Sequence, residues 1–331
     1  MLSSSDLIRQ PYTPDLTEAG LLSTCHWLAG SSQRLGDNPF SMLRRKIGQV
    51  AVELAFRRLL SDRHVSSLTM NLEPFNEPHH HDLSLGGHRL HLDTTLITRR
   101  SQIRNLRRQS SELLQASALV PLDQFVREGQ TNNDIYVFAF LMALAATSQA
   151  EQLKVESSNQ PHYYLSILPG TWSRPEAWVP MGPLAMKSDA AKPVAVELGG
   201  QNAERDFLST RIQLEPSIRT LVPEDFYSLA YIHNLNRPTS RLGLHSSRFS
   251  QATIVQTTDW GNIWLYGLEI CFAGWLTHEE YRRRSILLPA GQHTYQYSHT
   301  RIKNLCVPLP ELRPLDELFD LLQTGKNQGT A

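Results

Sequence analysis

From His81 to Ile97 the chain reads HDLSLGGHRLHLDTTLI, two alternating runs of apolar and polar residues that meet at Gly86 and Gly87. A period of two puts successive side chains on opposite faces of a strand, and a two-glycine connection suits a tight hairpin. The stretch therefore predicts strands over 81–85 and 89–97 joined by a turn. On the second strand Leu90, Leu92, Thr94 and Leu96 share one face, while His91, Asp93, Thr95 and Ile97 share the other.

The segments on either side have a helical period. SMLRRKIGQVAVELAFRRLL, from Ser41 to Leu60, repeats Ile47, Val50, Ala51 and Leu54 at helical spacing, with Glu53 beside the apolar stripe. Residues 15–29 predict a shorter amphipathic helix ended by Gly30. After the hairpin, RRSQIRNLRRQSSELLQASALV reads as one helix in which Arg100, Arg104, Arg107 and Arg108 stand about one and two turns apart. IYVFAFL then reads as a buried strand.

Between about residues 151 and 261 the pattern changes to short strand-like segments such as KPVAVELGG and FYSLAYIHN, punctuated by proline. NIWLYGLEICFAGWLTHEEYRRR then predicts a strand running into a short helix, with Thr277 as N-cap and Glu280 completing a capping box. A loop and a final helix close the chain. The expected organisation is an N-terminal helical segment (1–37), the first part of a core (38–150), an inserted mostly-β domain (151–261) and the completion of the core (262–331).

Composition narrows the partners rather than naming them. At roughly 150 residues per domain, 331 residues with 40% hydrophobic content predict about two domains. Lys and Arg total 32, as do Asp and Glu, so any attraction to a polyanion must be local. Cys25, Cys271 and Cys306 are odd in number and lack CxxC spacing, which argues against a disulfide framework or a zinc site and points to a reducing cytoplasm. The first residues lack a secretory pattern, and Tyr136–Ala146 is too short an apolar run to cross a bilayer, so no membrane partner is expected.

Hydrolysis of a phosphodiester near neutral pH needs a hard divalent cation, and Mg²⁺ is held by carboxylate and water oxygens. KIGQVAVELAFRRLLSD, HDLSLGGHRLHLDTTLI, the arginine-rich helix and DIYVFAFL together resemble the core of the PD-(D/E)XK, or restriction-endonuclease-like, nuclease superfamily. The resemblance resumes at LYGLEICFAGWLTHEEYRRR, where a strand, a GW turn and a short helix are similar to the closing elements of some restriction-like nuclease domains; it implies an α/β fold with a mixed central sheet flanked by helices and covers about half the chain. It implies Glu53 as the helix acid, Asp82 as the hairpin aspartate and Asp93 as the second acid, with Asp82 and Asp93 holding Mg²⁺ or Mn²⁺ and Glu53 as a third ligand or a water-positioning base. The superfamily lysine falls on Thr95, a neutral hydroxyl. A positive group from Arg99, Arg100, Arg104 or His91 would have to replace it, and arginine is a poor general base because it stays protonated.

The expected function is thus a metal-dependent DNA endonuclease of restriction-like type, in the setting of mobile elements or anti-phage defence. The alternative is an inactive nuclease-fold protein that binds nucleic acid or serves in assembly, as a homodimer or within a multi-protein complex. DNA is the expected partner and RNA the other candidate. Arg99, Arg100, Arg104, Arg107 and Arg108 are the candidates for holding backbone phosphates; otherwise they form a solvated face. Each acid also has a plainer reading: Glu53 pairs with Arg57 one turn on, Asp82 ends a turn, and Asp93 is a strand residue. His79, His80 and His81 point alternately on an extended chain, so they cannot all face one ion. Trp172, Trp178, Tyr227 and Tyr231 can stack bases, although aromatics in short strands are usually core.

Overall fold

The computed structural model describes residues 1–11, 13–31, 35–36, 38–65, 83–85, 87–127 and 129–324. The chain is a mixed α/β arrangement of several sheets and helices. In chain order its elements are β1 (Ile8–Gln10), α1 (Pro14–Gly30), α2 (Pro39–Asp62), β2 (Leu83–Leu85), β3 (His88–Ile97), α3 (Arg100–Arg108), β4 (Ser117–Pro121), α4 (Leu122–Phe125) and β5 (Ile135–Leu144). Next come α5 (Gln149–Ser157), β6 (Tyr164–Ile167), α6 (Gly170–Ser173), β7 (Leu184–Ser188), β8 (Val194–Gln201), β9 (Phe207–Leu214), β10 (Arg219–Leu221), β11 (Ser228–Asn234), β12 (Leu242–Ser246), β13 (Thr253–Val255) and β14 (Trp260–Asn262). The chain ends with β15 (Tyr266–Thr277), α7 (His278–Arg284), β16 (Ile286–Leu288), β17 (Asn304–Pro308) and α8 (Leu315–Thr324). No helix among the described residues is long and apolar enough to cross a membrane.

Two compact units share the chain: Met1–Ala19 with Gly48–Leu144 and Tyr266–Ala331, and Gly20–Ile47 with Ala145–Leu265. The second takes in the end of α1 from Gly20 and the start of α2 up to Ile47, besides the segment expected to be an inserted mostly-β domain.

In the first unit a five-stranded sheet runs in the order β1-β15-β5-β3-β2. Only β3 and β5 are parallel; the other neighbours are antiparallel. A parallel pair needs a long crossover. It is supplied here by α3, a 3-10 turn over Ser110–Gln115, β4 and α4. β5 is central and nearly all buried, which is why IYVFAFLMAL is apolar on both faces. One face packs Tyr136, Phe138, Phe140 and Met142 with Ile97, Ile103, Leu106 and Tyr281. The opposite face receives α2, whose Phe56 ring lies 5.3 Å from that of Phe272. A smaller sheet, β16-β17-β4, is tied in by Tyr281, whose hydroxyl lies 3.0 Å from the Ala118 carbonyl and 2.8 Å from that of Leu305.

Three local expectations change. The arginine-rich helix stops at Arg108, where Gln109 turns to extended backbone. The serines that follow favour turns over helix, and Ser117–Pro121 is a strand with Ala118 and Val120 buried. The GW pair is no turn, because Gly274 and Trp275 lie inside β15. Asn304–Pro308, read as loop, is the middle strand of the small sheet. The capping box at Thr277 and Glu280 is present in both halves.

The second unit contains a five-stranded sheet, β14-β6-β11-β8-β9, and a four-stranded sheet, β10-β7-β12-β13. Leu198, Ile232 and Tyr164 of the first pack with Met186, Leu244 and Val255 of the second in one apolar core, as in a sandwich. Helical residues of this unit lie along the other face of the larger sheet, where His26 stacks on Phe207 at 3.9 Å and Cys25 Sγ stands 3.6 Å from the Tyr163 hydroxyl. Trp172 and Tyr231 are buried and belong to the core rather than to a base-stacking surface. Trp178 donates its indole N–H to the Ala203 carbonyl at 2.8 Å.

Candidate functional site

The residues of β3 stand in a defined register beside β5: His91 pairs with Tyr136, Asp93 with Phe138, Thr95 with Phe140 and Ile97 with Met142. Paired residues share a face. Asp93 thus points to the side on which Tyr136 and Tyr281 pack, and its Oδ2 is shielded from solvent. Burial raises the phenol pKa of both tyrosines, and the Asp93 charge raises them further.

Asp134, immediately before β5, is the best-held acid at this end of the sheet and was not singled out from the sequence. Its side chain is 2% exposed. Arg89 approaches it two-pronged, Nε to Oδ1 at 3.0 Å and Nη2 to Oδ2 at 2.6 Å. Thr131 donates its backbone N–H at 3.1 Å and its hydroxyl at 2.7 Å. Burial alone would raise the Asp134 pKa, but these hydrogen bonds and the Arg89 charge outweigh it and lower the carboxyl below its usual range. His91 Nε2 stands 4.0 Å from Asp134 Oδ2, and the His91 ring stacks on Tyr136 at 5.0 Å.

His278, first residue of α7, completes this group. Its backbone N–H donates to the Asp134 carbonyl at 2.7 Å, and its Nδ1 lies 3.3 Å from the Tyr136 hydroxyl. Its ring stacks flat on Phe125 at 4.2 Å. Burial, with the charge of Arg282, lowers the His278 pKa against the opposing pull of Asp134. Such a cluster can orient groups and hold protons in place. The sequence signal for it was the Thr131-x-x-Asp134 spacing, in which a side chain caps the turn into an apolar strand.

The fold does not bring Glu53 and Asp93 together. Glu53 sits on α2 and forms an ion pair with Arg57. α2 packs on Phe272, which is in register with Ala139 and, through it, with Thr94. Thr94 and Asp93 are neighbours on a strand and point to opposite faces, so the helix carrying Glu53 lies across the sheet from Asp93. Asp82, with the His79–His81 run, lies outside the described residues. Thr95 follows Asp93 on the same face, in register with Phe140. Among the described residues no group of three or more His, Cys, Asp or Glu is arranged to hold a metal ion.

The arginines divide by what they touch. Arg99 donates to the Tyr295 carbonyl at 2.9 Å. Arg107 donates to the Gly267 carbonyl at 2.9 Å and pairs with Glu269 at 3.3 Å. α3 buries Ile103 and Leu106, which leaves Arg100, Arg104 and Arg108, four residues apart, on a common outward side. Arg104 and Arg108 are exposed.

Comparison with family models, with curated proteins and with solved structures gives no match.

Proposed function

We propose that this chain is a restriction-endonuclease-like protein that engages DNA and whose role is binding or assembly rather than cleavage. Support for the core comes from its element order, a helix, a hairpin, a helix and a strand, and from the mixed sheet in which β3 and β5 run parallel through α3. Support for DNA comes from the exposed arginine side of α3, where Arg104 and Arg108 can meet backbone phosphates. The observation that carries the non-cleaving reading is the separation of the acids. Glu53 is answered by Arg57 on one side of the sheet, Asp93 faces the tyrosine cluster on the other, and Thr95 stands where a basic group would serve.

A second reading keeps cleavage: a metal-dependent DNA endonuclease using Asp93 with Asp82. The shielded Asp93 carboxylate beside His91 favours it. The three acids as a set do not fit one Mg²⁺ or Mn²⁺ ion, because the helix carrying Glu53 is across the sheet. One experiment separates the readings. Supercoiled, linear and single-stranded DNA, and RNA of matched length, are incubated with Mg²⁺ or Mn²⁺ and wild type or Asp93→Ala, while binding is followed by fluorescence anisotropy. Salt-sensitive DNA binding without Asp93-dependent cleavage supports the first reading. Metal-dependent cleavage that Asp93→Ala abolishes replaces it with the second, and tighter binding of RNA than of DNA replaces the DNA assignment.

A further inference from the structure

We propose that the outward face of the β10-β7-β12-β13 sheet in the second unit is a binding site for the phosphate backbone of a nucleic-acid strand, with Lys187 and Arg219 as its central contacts. The strands alternate cleanly. Leu184, Met186, Leu242 and Leu244 face the core, whereas Ala185, Lys187, Gly243 and His245 face away from it. The outward residues floor an open depression of about 230 Å³, also bordered by Arg219, Arg241 and Ile254.

The charge arrangement is the reason to assign it a ligand. Arg219 is in direct cross-strand register with Lys187, and Lys187 with Gly243. Two like charges directly opposite one another on a sheet repel and destabilise the pair. Among the described residues neither Lys187 nor Arg219 has a hydrogen-bonded or ion-paired carboxylate, and the one acid bordering the depression, Asp189, is engaged by Arg241 at 2.9 Å. The fold thus holds two exposed cations side by side with no carboxylate placed between them. An anion seated over the pair would relieve the repulsion.

Size and lining favour a strand over a small molecule. At about 230 Å³ the depression is smaller than the 300–1,000 Å³ typical of small-molecule pockets, so it suits one phosphate and part of a sugar rather than a whole ligand. Gly243 presents no side chain beside Lys187, which leaves space over the sheet next to the cations. Ile254, 47% exposed, lies across Gly243 from Lys187, and Leu221, 66% exposed, follows Arg219 two residues on along β10, so both give apolar surface near the cations for a sugar or base face. The anionic preference follows from the groove itself, and the choice of nucleic acid among polyanions rests on the proposed DNA reading.

The test uses the full chain and a labelled 20-nucleotide single strand and its duplex, with anisotropy measured over a range of salt. Lys187→Gln with Arg219→Gln should weaken binding at least tenfold and lower the slope of log affinity against log salt by ~1.4 for the single strand, as expected for two lost phosphate contacts. Lys187→Glu should weaken binding yet raise the thermal midpoint, since it turns a repelling cross-strand pair into an attracting one; a merely structural lysine would not give that opposite pair of responses. Arg104→Glu with Arg108→Glu is the control in the first unit. Binding lost only in the Arg104/Arg108 variant overturns the sheet-face site and leaves the DNA reading standing. Binding lost only in the Lys187/Arg219 variants supports the site and removes the α3 arginines from the interface. Wild type that binds anionic phospholipid vesicles or inorganic phosphate as tightly as the oligonucleotide, or binds none of them, overturns the inference.

Discussion

Arg89 closes two hydrogen bonds on Asp134, at 3.0 and 2.6 Å, and so ties β3 to the turn that leads into β5. The carboxylate is buried and the guanidinium is partly exposed, so the pair is a lock whose removal strands a charge. Arg89→Ala should cost about 3–5 kcal/mol, the range for leaving a buried charge without its partner, whereas Asp134→Ala leaves only the partly exposed guanidinium and should cost less. Because the folded carboxyl titrates below its usual range, its contribution is present above that range and is lost as pH falls through the folded value. Asp134→Asn should therefore flatten the acid limb of stability measured by denaturant unfolding from pH 7 to pH 3. An unchanged limb would assign acid sensitivity to other carboxylates.

His233, on β11, gives the opposite chemistry with the same sign of pH dependence. Burial, reinforced by Arg211 and His162, pushes its pKa down to about 3, and its ring stacks on Tyr163 at 3.5 Å. The folded state holds the ring neutral while the unfolded chain protonates it near pH 6.5. Stability is complete above that value and falls below it, by about 2 kcal/mol between pH 7 and pH 5. NMR titration should show no ring protonation above pH 5, and His233→Gln should remove this part of the pH dependence.

The arginines of α3 should separate by function. Arg104→Ala and Arg108→Ala should weaken DNA binding while leaving the thermal midpoint within a degree or two, since exposed side chains contribute little to stability. Arg107→Ala should instead lower the midpoint, because it releases the Gly267 carbonyl and Glu269. Equal loss of affinity in all three variants, with no change of midpoint, would merge them into one binding face.

Gly274 should not tolerate a side chain. A Cβ there would lie 2.5 Å from the Arg313 carbonyl oxygen and 3.0 Å from Leu312 Cβ, inside the paired hydrogen bonds between Trp275 and Arg313. Gly274→Ala should cost about 1–3 kcal/mol, the usual scale of overpacking, read as a lower thermal midpoint.

This glycine also shows how far the sequence was legible. Elements whose own residues carry the signal were readable: the helical stripe of α2, the period-two runs of β3, the apolar β5 and the capping box of α7. What depended on distant partners was not. Gly274 is glycine because the backbone near Arg313, about forty positions on, passes against it, and no local pattern reports that. The expected meeting of Glu53 and Asp93 depended on which face of the sheet α2 covers, a choice made by Phe56 packing on Phe272. Asp134 was hidden because its partners, Arg89 and Thr131, come from a neighbouring strand and a turn.

The pairing of β5 with β15 has a further consequence for synthesis. Leu144 and Tyr266 are hydrogen-bonded neighbours in the sheet, yet Ala145–Leu265 is threaded between them. At 5–20 residues per second, a ribosome takes on the order of ten seconds to translate the residues between one strand and its partner. Throughout that interval β5, an almost wholly apolar strand, has one edge open, which makes the nascent protein a natural client for a chaperone until β15 arrives.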